Sequence, residues 1–219
     1  MSSPRARTAI FISGRGSNMK SLVAAAADPD YPAEIALVLS NNADADGLAH
    51  ARQAGIATEI VDHRQFASRE DFEAELQNKL ELHDIDLVCL AGFMRILTGA
   101  FVQRWTGRMI NIHPSILPSY KGLHTHERAL ADGVKLHGCT VHYVAPEMDA
   151  GPIIIQAAVP VLVSDTADVL AARVLEQEHV IYAKALARVA ANKLRVEGQT
   201  VICTDDSSGV PAGALVNPA

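Results

Sequence analysis

Thr8-Ala-Ile-Phe-Ile-Ser-Gly-Arg-Gly-Ser-Asn18 is the stretch that decides the fold. Its first half is a short run rich in β-formers and reads as a strand through Ser13. Gly14 and Gly16 then make a tight turn, and Met19 to Ala27 has the composition of a helix. Strand, glycine turn and helix in succession open a doubly wound α/β sheet, with a place for an anion at the helix N-terminus. The dinucleotide fingerprint is incomplete, because Met19 stands where a third glycine belongs. No Gly-Lys-Ser/Thr follows, so the loop is not that of an NTPase. A single phosphate held by Gly16, Ser17 and Asn18 fits this loop, and so does a plain tight turn.

Working outward, the pattern repeats. Ala33 to Leu39 reads as a second strand, and a helix through Gly47 to Ala54 closes on Gly55, a left-handed cap. Thr58 to Val61 makes a third strand. Ser68 followed by Arg69, Glu70 and Asp71 has the form of an N-terminal cap with acidic residues in the first turn, opening a helix to about Leu82. Asp86 to Ala91 is apolar beyond its first residue, as a central parallel strand should be. After it come Gly92 to Leu97, which suit a pocket wall or simple helix packing, and a short helix capped by Thr98. Strands alternating with helices imply a Rossmann-like, doubly wound, mostly parallel sheet with helices on both faces.

Met109-Ile-Asn-Ile-His-Pro-Ser-Ile-Leu-Pro118 carries the chemistry. Asn111 and His113 alternate on an extended backbone, so both side chains leave the same side. Two prolines end the ladder at once, which puts the polar pair at the carboxyl end of a strand, where open α/β sheets bind ligands. An amide that donates and an imidazole that titrates near neutrality can stabilise an oxyanion and move a proton. Packing against the prolines and satisfying loop amides is the plainer alternative.

Beyond it, Glu127 to Asp132 reads as a helix, while Gly138 to Val144 and Ile153 to Val161 are strands joined without a helix. The second half of the sheet is therefore expected to turn antiparallel. Between those strands lies a turn-rich loop, Ala145 to Pro152, with Asp149 at its centre. Ser164-Asp165 is expected to cap a long helix from Ala167 to about Asn192, and Leu194 to Thr200 to form a last edge strand. His124 and His126 stand at His-x-His spacing without a further ligand set, so no metal is expected.

Composition narrows the functional classes. Hydrophobic residues make up 49% of the 219-residue chain and charged residues 20%, enough apolar material for a sizeable core. A net charge of −6 and only 5% aromatics argue against nucleic acid and anionic membranes as partners. Cys89, Cys139 and Cys203 are widely separated, and reduced thiols in a cytoplasmic protein are expected. One domain over residues 1–204 is expected, with a phosphate-binding half over about 8–105 and a catalytic half over about 106–204. The Ser-, Gly- and Ala-rich tail, 205–219, is expected to be loosely attached.

The residues Ile12 to Asn18, Leu90 to Leu97, Asn111 to Pro118 and Asp149-Ala-Gly-Pro152, in this order and spacing, resemble the phosphoribosylglycinamide formyltransferase family, folate-dependent enzymes of purine synthesis. The resemblance runs from about Thr8 to Thr200. It implies catalysis by Asn111, His113 and Asp149. It also implies substrate phosphate on Gly16, Ser17 and Asn18, with Leu175, Glu176, Gln177 and Glu178 of the long helix contributing to ribonucleotide binding. The folate, 10-formyltetrahydrofolate as co-substrate, is implied against Arg69, Met94, Arg95, Ile96, Leu97 and Asn111, and against the loop of Ala145, Pro146, Glu147, Met148 and Asp149. The partners are then small molecules, with monomer and homodimer both open. A methionyl-tRNA formyltransferase would carry a further basic domain and a formyltetrahydrofolate hydrolase a regulatory one. A non-catalytic nucleotide-binding module would leave the three polar residues without a purpose.

Overall fold

Ala6–Ile12 forms β1, and its residues divide the molecule into two layers. Ile10 and Ile12 face one apolar cluster while Ala9 and Phe11 face the other, all fully buried. A strand covered on both faces must be central, and β1 lies between β2 (Ala33–Ser40) and β4 (Leu87–Leu90), parallel to each. The computed structural model describes residues 4–204. Among them, with β3 at Ala57–Ile60, β5 at Met109–His113, β6 at Leu136–Tyr143, β7 at Ile153–Pro160, β8 at Leu194–Glu197 and β9 at Thr200–Cys203, the strands form a nine-stranded sheet of order β3-β2-β1-β4-β5-β6-β7-β9-β8.

The layer against Ile10 and Ile12 is built by α1 (Ser17–Ala26), α2 (Asp46–Gln53) and α6 (Ala167–Ala190), through residues such as Met19, Leu22, Leu48, Leu170 and Leu186. The opposite layer is built by α3 (Arg69–Leu82) and α4 (Gly99–Arg104), through Phe72, Leu76, Leu80 and Phe101. Each such side chain contributes roughly 1.5–3 kcal/mol on burial. Tyr182 of α6 is fully buried, and its hydroxyl lies 2.9 Å from the Leu90 carbonyl, tying the helix to β4.

The sheet changes direction at β5. It is parallel to β4 but antiparallel to β6 (Leu136–Tyr143), and β6 is antiparallel to β7 (Ile153–Pro160), as expected. Three details differ from the sequence reading. The helix after β5, α5 (Thr125–Ala131), starts ahead of Glu127, and the cap of α6 is Thr166 rather than Ser164-Asp165. Asp165 instead accepts from the Leu162 amide and pairs with Arg173, at 2.7 Å. The last segment is a hairpin rather than one strand. Gly198, at φ 60°, separates β8 (Leu194–Glu197) from β9 (Thr200–Cys203). The expected tail lies outside the described residues.

Candidate active site

Antiparallel pairing assembles the polar face of the site. Asn111 of β5 stands opposite His142 of β6, and His113 opposite Thr140. Residues opposite one another across a ladder share a face, so these four side chains leave the sheet together. Thr140 then fixes the chain beyond His113. Its hydroxyl donates to the Ser115 carbonyl at 2.7 Å and accepts from the Leu117 amide at 3.0 Å. Gln156 of β7 donates to the Leu117 carbonyl and to the Thr140 hydroxyl.

Asp149 reaches the same face from the loop between β6 and β7. Its carboxylate lies 3.5 Å from His113 Nδ1, and the same oxygen accepts from the Gly122 amide at 2.9 Å. The loop needs two special positions. Asp149 has φ 51°, a left-handed conformation that a short polar residue tolerates. Gly151 packs so tightly that a β-carbon there would strike the Tyr143 carbonyl. His113 Nε2 lies 3.0 Å from the Tyr120 carbonyl, which can only accept, so both ring nitrogens of His113 face acceptors. Hence Asn111, His113 and Asp149 converge on one face of the sheet, His113 buried and the other two half-buried.

His142 completes the group and was not singled out from sequence. Its Nε2 is 3.2 Å from Asn111 Nδ2 and its Nδ1 is 2.8 Å from the Tyr143 carbonyl. Burial pushes its pKa below the ordinary histidine value. Lying in a strand read simply as alternating, it carried no marker except its phase.

The segment after β4 is held at both ends. The Met94 amide donates to Ser13 Oγ at 2.8 Å, and Ser13 donates to Asn41. At the far end, buried Glu73 of α3 accepts from the Thr98 amide at 2.6 Å and from the Thr98 hydroxyl. Glu73 was also missed, although a carboxylate beside Phe72 within the buried stripe of α3 was a signal. Met94, Arg95 and Ile96 are exposed, whereas Leu97 points into the α3–α4 core, so its side chain is not part of a pocket wall. Pro146, Glu147 and Met148 are exposed and Ala145 half-buried, with Glu147 3.2 Å from Lys121. Pro146 lies beside Gly99, and Arg69 is exposed in the first turn of α3.

At the other end of the site, Gly16 caps α1 with φ 70°. A cleft of about 250 Å³ is lined by Ser13 to Asn18, Ala91, Gly92 and Met94, so the glycine loop and the Met94 segment share one cavity. A neighbouring cleft brings Ser17 together with Arg15, Lys20, Leu175 and His179. Asn18 Nδ2 donates to Glu178 Oε2 at 2.6 Å, so this side chain joins α1 to α6 rather than standing open as a donor. Burial holds the Glu178 carboxyl above the usual range, partly offset by the Asn18 hydrogen bond. Glu176 is exposed and Gln177 half-buried on the same turn.

His124 pairs with Glu127, whereas His126 packs edge-on to His137, centroids 5.2 Å apart. Burial pushes His137 down to about 4 and lowers His126. Among the described residues no cluster of three or more His, Cys, Asp or Glu is placed to hold a metal. Burial also pushes the Cys89 and Cys139 thiols up to about 12, which keeps both unreactive. No helix among the described residues is long and apolar enough to cross a membrane.

Residues 6–186 match the formyl transferase family. The chain is 46% identical over 187 residues to a phosphoribosylglycinamide formyltransferase of Escherichia coli, covering 85% of this chain and 88% of that one. It is 48% identical over 199 residues to the human trifunctional purine biosynthetic protein adenosine-3, covering 91% of this chain but 20% of that protein, so it spans about a fifth of such relatives. A crystal structure of glycinamide ribonucleotide transformylase 1 from Symbiobacterium toebii superposes with a TM-score of 0.89 at 42% identity, covering 92% of this chain and 95% of that one. The family match over residues 6–186 and these relatives make the chain a member of the formyl transferase family, in its phosphoribosylglycinamide formyltransferase branch.

Proposed function

We propose that the protein moves the formyl group of 10-formyltetrahydrofolate onto the amine of phosphoribosylglycinamide. The single observation that carries this reading is the convergence of Asn111, His113 and Asp149 at the strand end in a chain of this family. The amine nitrogen attacks the formyl carbon, and the carbonyl electron pair moves onto oxygen. An N–H of Asn111 and the Nε2–H of a protonated His113 donate to that oxyanion, with His113 exchanging its Tyr120 carbonyl for the substrate. Donors placed where charge develops are each worth about 10²–10³ in rate. As the intermediate collapses, the C–N bond to the folate breaks and the folate nitrogen takes up a proton, while the attacking amine loses one. Asp149 holds His113 through Nδ1, and passage of the proton through this pair follows general acid–base logic.

The ribonucleotide phosphate takes the amides of Gly16, Ser17 and Asn18 at the N-terminus of α1, where aligned peptide dipoles favour negative charge. Arg15 and Lys20, which line the neighbouring cleft, add positive charge beside it. The folate takes the opposite side, against Met94, Arg95 and Ile96, Arg69 and the Ala145 to Asp149 loop.

The test is the absorbance change on release of tetrahydrofolate, followed with and without phosphoribosylglycinamide. Turnover that requires the ribonucleotide is expected. Equal release in its absence would make the protein a hydrolase and end the proposal.

A further inference from the structure

His142 touches Asn111, and the reaction scheme leaves it without a part. Its two nitrogens face different kinds of group. Nδ1 lies 2.8 Å from the Tyr143 carbonyl, which only accepts, so Nδ1 carries a proton. The ring is 2% exposed, and burial holds it toward the neutral form. The titratable groups that face it are Asp149, with Oδ1 3.9 Å from Nε2, and His113 beyond. A neutral ring protonated on Nδ1 has a lone pair on Nε2. The Asn111 group 3.2 Å away must therefore be the NH₂ end of the carboxamide. The flipped amide would set two lone pairs against each other.

From this geometry we infer that His142 is a positioning residue, whose Nδ1-protonated tautomer locks the Asn111 carboxamide with its second N–H turned toward the formyl oxygen. The inference rests on the formyl transfer proposed above. The lock is built into the sheet. Asn111 and His142 are directly opposed in the ladder, so the two side chains start side by side wherever this register holds. It also has a counterpart on the backbone. The Tyr143 carbonyl that fixes the tautomer belongs to the residue paired with Ile110, one step along the same ladder.

The experiment combines kinetics with a readout that needs no activity. In His142→Leu the acceptor is gone, whereas His142→Gln keeps an oxygen near the position of Nε2. The Leu variant is expected to lose about 10- to 100-fold in kcat, a part of the 10²–10³ that an oriented donor supplies, with the KM of both substrates little changed. The Gln variant is expected to recover most of that loss. In an Asn111→Ala background, His142→Leu is expected to cost nothing further, because the group it orients is absent. Equal loss in both backgrounds, or a loss carried by KM, overturns the inference. Independently, nitrogen NMR of the wild-type protein at neutral pH should show His142 protonated on Nδ1 and bare on Nε2. An Nε2-protonated or doubly protonated ring also overturns it. If the wild type transfers no formyl group, the functional reading fails while the NMR result still decides the tautomer.

Discussion

Replacing Asn18 by Leu tests whether α1, the helix after the glycine loop, is anchored through a buried charge. Asn18 and Glu178 are 8% and 7% exposed, and the donor lies 2.6 Å from the carboxylate. Leucine fills nearly the same space and donates nothing, so the variant leaves Glu178 without this hydrogen bond in a site that excludes water. A bond to a charged group is worth about 1.5–3 kcal/mol. For a domain of this size that corresponds to a fall in Tm of about 3–12 °C near pH 8. The pH dependence has a definite sign. Burial raises the folded-state pKa of Glu178, so wild-type stability declines as pH rises from the ordinary carboxylate range through that raised value. Loss of the donor raises the folded value further, so the cost of Asn18→Leu grows with pH and shrinks toward the acid side. In a Glu178→Gln background only a neutral bond is lost, about 0.5–1.5 kcal/mol, without that pH dependence. Denaturant titrations of the four proteins between pH 5 and pH 8, on the order of ten points each, supply the comparison. A cost that is the same at every pH and in both backgrounds would refute the reasoning.

Gly16→Val forces a β-branched residue to φ 70° and brings its Cβ to 2.9 Å from Met19 Cε and 3.1 Å from the Gly47 Cα. Strain of about 1–3 kcal/mol at the loop should weaken ribonucleotide binding about tenfold or more and leave folate affinity within about twofold; calorimetry showing equal losses contradicts it. Asp149→Asn keeps the shape and removes the carboxylate 3.5 Å from His113, so kcat should fall by about 10²–10⁴, and steady-state rates near wild type would exclude this role. Tyr182→Phe removes the hydroxyl at the Leu90 and Ile110 carbonyls, and urea unfolding should register a loss of about 0.5–1.5 kcal/mol with activity unchanged.

What could be read from sequence was what is local. The glycine turn after β1, the Ser68 cap of α3, the Gly55 cap and the placement of Asn111 and His113 at a strand end all depend on neighbours within a few residues. What escaped depends on partners far along the chain. Nothing near His142 indicates that it faces Asn111, because that contact is created by the register of β5 on β6. Glu73 looks like one more helix carboxylate until the 91–98 segment folds over it. Asn18 looks like an open donor until α6, 160 positions later, brings Glu178 to it. Gly198 was visible, yet a short run of β-formers hid that it turns the chain.

The reversal of strand direction at β5 explains why Asn111, His113 and Asp149 gather there. On the parallel side, each strand ends in a loop that leads to a covering helix, and the glycine loop and the Met94 segment are two such ends sharing one cleft. Had β6 also been parallel, a crossover helix would have carried the chain away from the face bearing Asn111 and His113. Antiparallel pairing instead sends β6 back to the foot of β5, where the Val144 amide donates to the Met109 carbonyl. The connection to β7 starts and ends at that foot, since Ile153 pairs with His142. It crosses the face that bears Asn111 and His113, and it carries Asp149 there. The same reversal puts Thr140 opposite His113, so the loop beyond the histidine is pinned by a strand that a parallel neighbour would not have supplied. The strand-end pair Asn111 and His113, the carboxylate beside it and the histidine opposite Asn111 are thus brought together by one topological choice.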